Sequence, residues 1–262
     1  MDTQRLREEF LVEGLMQCDK IKMVYTHHDR VIVGGAVPVR KELRLDGARW
    51  IKADYLLEKR EIGIILLSGK GVVRLEDREH EMSTGECLYA GKGTRDVLFI
   101  NKSGKVPAEF YFASAPAHKQ FPVQHAGTNQ AKLQELGDRS KSNERAIQKL
   151  IHPGGIQSCQ LMMGVTDLKP GSNWNTMPPH RHDRRMEVYF YYNLPDNERI
   201  WHFMGEPDQT RHLIVQNRQA VISPPWSIHA GAGTTSYSFV WVMAGENQDF
   251  SDMDFLEPKD LA

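Results

Sequence analysis

Leu6, Phe10, Leu11 and Leu15 recur at the three-to-four spacing that lines one face of a helix, and they predict a helix over residues 3–16. After that the pattern shortens. Val31-Ile32-Val33, residues 62–67, 72–75 and 97–100, and Phe110-Tyr111-Phe112 are β-branched or aromatic runs too brief for helices. Gly34-Gly35, Gly69-Lys70-Gly71 and Gly91-Lys92-Gly93 punctuate them and are assigned to turns. Residues 128–150 break the rhythm: Lys132, Glu135, Asp138, Arg139, Lys141, Glu144, Arg145 and Lys149 stand among few apolar positions, as in a solvated connector with a helical turn or two. Strand-like runs resume over 157–243, and the tail, 249–262, is acidic and poor in strand signals. The expectation is a mainly β chain with a few short helices, divided 1–127, 128–150 and 151–262, each half a sandwich or barrel.

One polar stretch departs from this background. Pro178-Pro179-His180-Arg181-His182-Asp183-Arg184-Arg185-Met186-Glu187 carries two imidazoles and a carboxylate, and His229 follows in the turn Pro224-Pro225-Trp226-Ser227-Ile228-His229. In an extended chain residues two apart share a face, so His180 and His182 point the same way while Glu187 opens the next strand. With 11 histidines in 262 residues a His-x-His alone would carry no weight. The Glu at a matching offset and the later His make a metal site of His180, His182, Glu187 and His229 the better reading. Such a mixed nitrogen and oxygen set suits zinc, iron, manganese or nickel and does not choose among them by affinity.

The halves carry a weak internal repeat. Residues 63–69 lie over 187–193 and residues 88–96 over 221–229, which sets Gly63 opposite Glu187, Asp96 opposite His229, and Leu56 and Glu58 opposite His180 and His182. The first half therefore lacks the ligand set, and its His27, His28 and His80 read as surface or packing residues.

Composition narrows the setting. At 40% hydrophobic the chain can bury one large core or two smaller ones. Asp2, Arg5, Arg7, Glu8, Glu9 and Glu13 leave no apolar signal-peptide core, and no apolar run is long enough to cross a bilayer, so a cytoplasmic location is expected. Cys18, Cys87 and Cys159 form neither a disulfide framework nor a CxxC knuckle. With 33 basic against 34 acidic residues, no global field recruits nucleic acid or an anionic membrane.

The His-x-His-x4-Glu motif with its later His resembles the metal motif of the cupin superfamily, a short β-barrel fold, and the repeat makes the chain similar to a bicupin with two jelly-roll-like halves. Trp174-Asn175-Thr176-Met177-Pro178, Arg184-Arg185-Met186-Glu187-Val188-Tyr189-Phe190-Tyr191, Gln219-Ala220-Val221-Ile222-Ser223-Pro224 and Gly245-Glu246-Asn247-Gln248 resemble the 5-keto-4-deoxyuronate isomerase family. The likeness extends to Asp29-Arg30-Val31-Ile32-Val33-Gly34-Gly35, Tyr89-Ala90-Gly91-Lys92-Gly93 and Ala115-Pro116-Ala117-His118, and so covers nearly the whole chain. It implies a metal-dependent aldose-ketose isomerase in the breakdown of pectin-derived and glycosaminoglycan-derived uronates. It implies one zinc ion per subunit on His180, His182, Glu187 and His229, and a homohexamer.

Such an exchange moves a proton between neighbouring carbons while a carbonyl oxygen gains negative charge, a task suited to a metal dication and a general base. Strand alternation places Thr176, Tyr189 and Tyr191 on the face of the ligands, and Arg184 stands beside them as a partner for the substrate's carboxylate. Catalytic roles are therefore assigned to Glu187, Arg184, Thr176 and Tyr189, with core packing the plain alternative for Tyr189 and a solvated turn for Arg184. Met186 and Trp226 are expected in the pocket wall, and Arg211-His212 in the pocket or on its rim. Glu246 is a candidate base by chemistry, with surface exposure the alternative, and a hydride shift would need no base. Two other functions share the ligand set: another metal-dependent cupin enzyme such as a dioxygenase, and a non-enzymatic sugar-binding cupin.

Overall fold

In the computed structural model, which describes residues 1–127, 133–246 and 248–262, the chain forms two compact units. One comprises Met1–Glu13, Lys132–Lys149 and Met163–Ala262; the other comprises Gly14–Ala131 and Leu150–Met162. The first helix, α1 (Thr3–Phe10), is capped by the Asp2 carboxylate, which accepts from the Arg5 amide at 2.8 Å, and buries Leu6 and Phe10. It stops six residues short of the expected end. Leu11 is already extended and begins β1 (Leu11–Val12), paired with Ala220 and Val221, while Gly14 at φ +69° lies outside helical backbone altogether. Leu11, which continues the helical spacing in sequence, is used as a strand residue instead.

The second unit contains β2 (Ile21–Tyr25), β3 (Ile32–Ala36), β4 (Leu43–Arg44), α2 (Ala48–Ile51), β5 (Arg60–Ser68), β6 (Lys70–Leu75), β7 (Arg78–Ser83), β8 (Cys87–Ala90), β9 (Val97–Asn101), β10 (Glu109–Pro116) and β11 (Gln124–Ala126). They form two antiparallel sheets, β11-β8-β5-β10-β3-β2 and β4-β9-β6-β7. Ile62, Ile64 and Leu66 of β5 meet Leu88, Phe99, Phe110 and Phe112 in an apolar core, each buried side chain worth about 1.5–3 kcal/mol. Gly34-Gly35 is not a turn but the middle of β3. A Cβ on Gly34 would fall 2.3 Å from the Phe112 ring, so the glycine permits close packing there. Gly69, at φ +76°, makes its turn alone, with Lys70 and Gly71 already in β6.

Glu61, on the other face of β5, is fully buried. Its carboxylate accepts from the backbone amides of Cys159, Gln160 and Leu161 at 2.7, 2.9 and 2.9 Å and from the Tyr89 hydroxyl at 2.7 Å. A buried charge needs this many donors. The same bonds tie residues 159–161, expected in the second half (151–262), to β5, and Leu150–Met162 falls in the unit of Gly14–Ala131.

The first unit is completed by β12 (Leu133–Leu136), β13 (Arg145–Ile151), β14 (Met162–Leu168), β15 (Trp174–Arg181), β16 (Arg185–Tyr192), β17 (Ile200–Glu206), β18 (Gln209–Val215), β19 (Gln219–Ser223), β20 (His229–Gly233), β21 (Ser238–Gly245) and β22 (Asp254–Phe255). The sheets run β1-β19-β16-β21-β14-β13-β12 and β18-β17-β20-β15-β22. The expected connector differs from this structure: residues 128–132 lie outside the described residues, and 133–151 hold the β12-β13 hairpin. The β12 edge is exposed at every residue, so its polar composition reads like a linker. The strand-poor tail likewise supplies β22, which pairs Phe255 with His180 and Asp254 with Arg181.

The strand registers shift the repeat by one residue. β5 sets Ile62 opposite Ala90, where β16 sets Glu187 opposite Ser223. With residues 88–90 laid over 221–223, Ile62 takes the place of Glu187, and a slip of one exchanges the faces of a strand. The corresponding interior of the other unit is therefore apolar.

Candidate metal centre

β15 and β20 lie side by side with His180 directly opposite His229. Their Nε2 atoms stand 2.9 Å apart. His182 follows the end of β15, and Glu187 lies on β16; the Glu187 Oε2 atom is 3.2 Å from the Nε2 atoms of both His182 and His229. One ligand atom from each of the four side chains falls within 4.8 Å of the others, and all four residues are buried. Among the described residues no other group of three or more His, Cys, Asp or Glu converges in this way. Asp96, laid opposite His229 by the repeat, is instead ion-paired with Arg44.

The surroundings orient these rings. The Arg185 carbonyl, which can only accept, lies 2.9 Å from His182 Nδ1; that nitrogen therefore carries the proton, and the lone pair of Nε2 faces the group. His229 Nδ1 is 3.3 Å from the Ser223 hydroxyl. Burial, followed by the charges of His182 and Arg185, pushes His180 down to about 3. Burial likewise, followed by the neighbouring histidines, holds His229 well below its usual value. For His182 burial is again the largest influence and disfavours the proton, but the hydrogen bond and charge of Glu187 outweigh it and raise the pKa. With His180 and His229 held neutral beside His182 and the Glu187 carboxylate, the group offers a convergence of nitrogen and oxygen donors that a cation fits.

Two of the four, His180 and Glu187, stand in the wall of a cavity of about 410 Å³, within the range of small-molecule sites. Thr176 and Tyr189 line it, sharing a 3.4 Å hydrogen bond between their hydroxyls. The Tyr189 phenol stays protonated, its pKa raised by burial first and then by the charge of Glu187. The Tyr189 ring centroid is 5.5 Å from that of His229. One layer deeper, the Tyr191 hydroxyl meets His202 Nδ1 at 2.8 Å, and burial pushes His202 down to about 3.

Residues 10–257 match the KduI/IolB family. The chain belongs to this family. It is 52% identical over 259 residues, 99% of its own length and 94% of the relative's, to the 4-deoxy-L-threo-5-hexosulose-uronate ketol-isomerase of Halalkalibacterium halodurans. The protein of the same name from Bacillus subtilis strain 168 is 52% identical over 97% of this chain and 92% of its own length. Among solved structures, an IolB-like protein from Salmonella typhimurium LT2 superposes with a TM-score of 0.74 over 94% of this chain and 96% of that one; at 16% identity it speaks for the fold alone. The mainly β, cupin-like architecture and the resemblance read from the motifs both stand.

Within this KduI/IolB chain several expected residues are placed differently. Arg184 is exposed and outside the cavity, whereas Arg185 is fully buried in its wall. Alternation explains the exchange, since Arg185, Glu187 and Tyr189 share one face of β16 and Arg184 precedes the strand. Thr176 reaches the cavity by a different route from the count back from His180. The β15 register is irregular between Asn175 and His180, five residues spanning what two span on β20. Met186 is buried on the opposite face of β16, Trp226 packs edge-on against Phe10 with centroids 6.5 Å apart, and neither lines the cavity. Arg211, His212 and Glu246 are exposed and also lie outside its wall.

Other cavity residues were not foreseen. Phe250, Met253 and Phe255 come from the tail and Arg145, Ile147 and Lys149 from β13. Phe255 lies 5.5 Å from the His180 ring. His202 was legible in principle, as an inward position between Ile200 and Met204. The three apolar residues in an acidic tail were a weaker signal, because their spacing fits neither helix nor regular strand.

Proposed function

We propose that this chain interconverts 4-deoxy-L-threo-5-hexosulose uronate and 3-deoxy-D-glycero-2,5-hexodiulosonate, an aldose-ketose exchange in uronate breakdown. The observation that carries the reading is a buried group of three histidines and one glutamate that opens through His180 and Glu187 onto a sugar-sized cavity. The supporting likeness is to ketol-isomerases matched along nearly the whole chain.

His180, His182, Glu187 and His229 would hold one divalent cation, taken as zinc on the family resemblance. When bound, the cation supplies Lewis acidity to a carbonyl and its neighbouring hydroxyl. Tyr189, kept protonated by burial, offers an O–H donor where the carbonyl oxygen gains charge. Thr176 holds that phenol through their shared hydrogen bond. Glu187 contributes the negative charge that keeps the neighbouring phenol from ionising. Phe239, Trp241 and Phe250 wall the cavity with apolar surface and exclude water from the reacting carbons. A homohexamer in the cytoplasm completes the proposal on the resemblance. No helix among the described residues is long and apolar enough to cross a membrane.

The test is incubation of purified protein with 4-deoxy-L-threo-5-hexosulose uronate in anaerobic buffer. Conversion should disappear on chelation and return with zinc. Conversion that requires dioxygen would favour a dioxygenase, and binding without conversion would favour a sugar-binding cupin.

A further inference from the structure

The charges in the cavity wall are unbalanced. Arg145, Lys149 and Arg185 bring basic side chains to it, and Glu187, the one carboxylate among the described lining residues, is committed to the imidazoles. The three cations differ in what already holds them. Arg185 is fully buried, its Nη2 is 3.0 Å from the Asp252 carboxylate, and its guanidinium lies 5.1 Å from the Phe250 ring centroid. Lys149 sets its ammonium 4.6 Å from the same Phe250 ring centroid, as a point charge. Arg145 is half-buried, with Nη1 donating to the Asn143 carbonyl at 2.9 Å, and among the described residues it has no carboxylate partner.

We propose that Arg145 recognises the carboxylate of the substrate, and so selects small anionic carbohydrates over neutral ones at the proposed isomerase site. The inference rests on that site being where the sugar binds. A half-buried guanidinium without a protein counter-ion carries a desolvation cost that an incoming anion offsets. The Asn143 carbonyl holds one edge of the guanidinium, leaving further N–H donors for the two oxygens of a carboxylate. Burial lowers the pKa of Arg145, in keeping with a guanidinium set into the same cavity wall that Tyr189 lines. β13 carries Arg145, Ile147 and Lys149 on one face, all three in the lining, so the strand presents a cationic edge to the ligand.

The test compares the uronate with its methyl ester on zinc-loaded wild type, Arg145→Met and Arg145→Lys. Wild type should prefer the acid on the order of ten- to a hundredfold in kcat/KM. Arg145→Met should abolish that preference through a raised KM for the acid, with kcat/KM for the ester falling far less, and Arg145→Lys should fall between because it keeps the charge without the fork. An acid preference retained by Arg145→Met overturns the proposal, as does an equal loss on acid and ester. Equilibrium binding of D-galacturonate against D-galactose to the same three proteins provides a readout independent of turnover. If wild type converts neither substrate, the isomerase reading fails while this binding still decides the role of Arg145: a galacturonate preference lost in Arg145→Met supports it. No preference in wild type, or one that survives the substitution, overturns it.

Discussion

A histidine that is to accept a cation must be neutral, and burial secures this for His180 and His229. The same burial acts on His202, which lies outside the candidate ligand group and meets the Tyr191 hydroxyl instead. An unfolded imidazole titrates near 6.5, whereas folded His202 titrates at about 3. Its pKa is depressed on folding, so the unfolded chain binds the extra proton. The contribution of neutral His202 to stability is then full above about pH 6.5 and is lost as the pH falls toward 3. Metal-free wild type should lose stability between pH 6 and 5 more steeply than His202→Gln, by about 1.4 kcal/mol per pH unit. Urea unfolding at the two pH values checks this, and equal slopes would remove His202 from the account. The candidate quartet was legible because a short turn joins its members: His180 stands near the end of β15 and Glu187 on β16, strands of different sheets, with His182 in the turn between. Arg184 was misjudged because the start of β16 decides which of two adjacent arginines faces inward, and composition does not mark that start.

At the scale of elements, most strands could be read from short β-branched runs, since burial on both faces leaves them almost wholly apolar, as in β5. The β12-β13 hairpin was hidden for the opposite reason: an exposed edge strand looks like a linker. Residues 159–161 were assigned to the wrong unit because their attachment to Glu61 spans about a hundred positions in sequence. Glu61→Gln replaces acceptors with an amide that presents N–H groups to backbone N–H donors. It should cost about 2–4 kcal/mol, read as a lower urea midpoint at unchanged slope. A midpoint equal to wild type would show that the crossing segment is held by other contacts.

Over the whole molecule, each unit uses the same device, two antiparallel sheets, for a different purpose. In one, Ile62, Ile64 and Leu66 close an apolar core. In the other, the corresponding face of β16 carries Glu187, Tyr189 and Tyr191, and the interior is polar enough to hold a cation. The repeat led to the expectation of such a division with Gly63 opposite Glu187; the strand registers put Ile62 there. What the repeat could not reveal was the contribution of the tail, because β22 finds its partner in β15 through backbone pairing, which leaves little trace in side-chain pattern.

The central claim is that the three histidines and Glu187 hold the cation on which isomerisation depends. It is tested most directly by titrating zinc into metal-free wild type and Glu187→Gln in anaerobic buffer while following isomer formation. Wild-type conversion should rise with zinc and level off at one equivalent per chain, with Glu187→Gln remaining near the metal-free rate. Full conversion by metal-free protein, or an equal response from Glu187→Gln, would contradict the account.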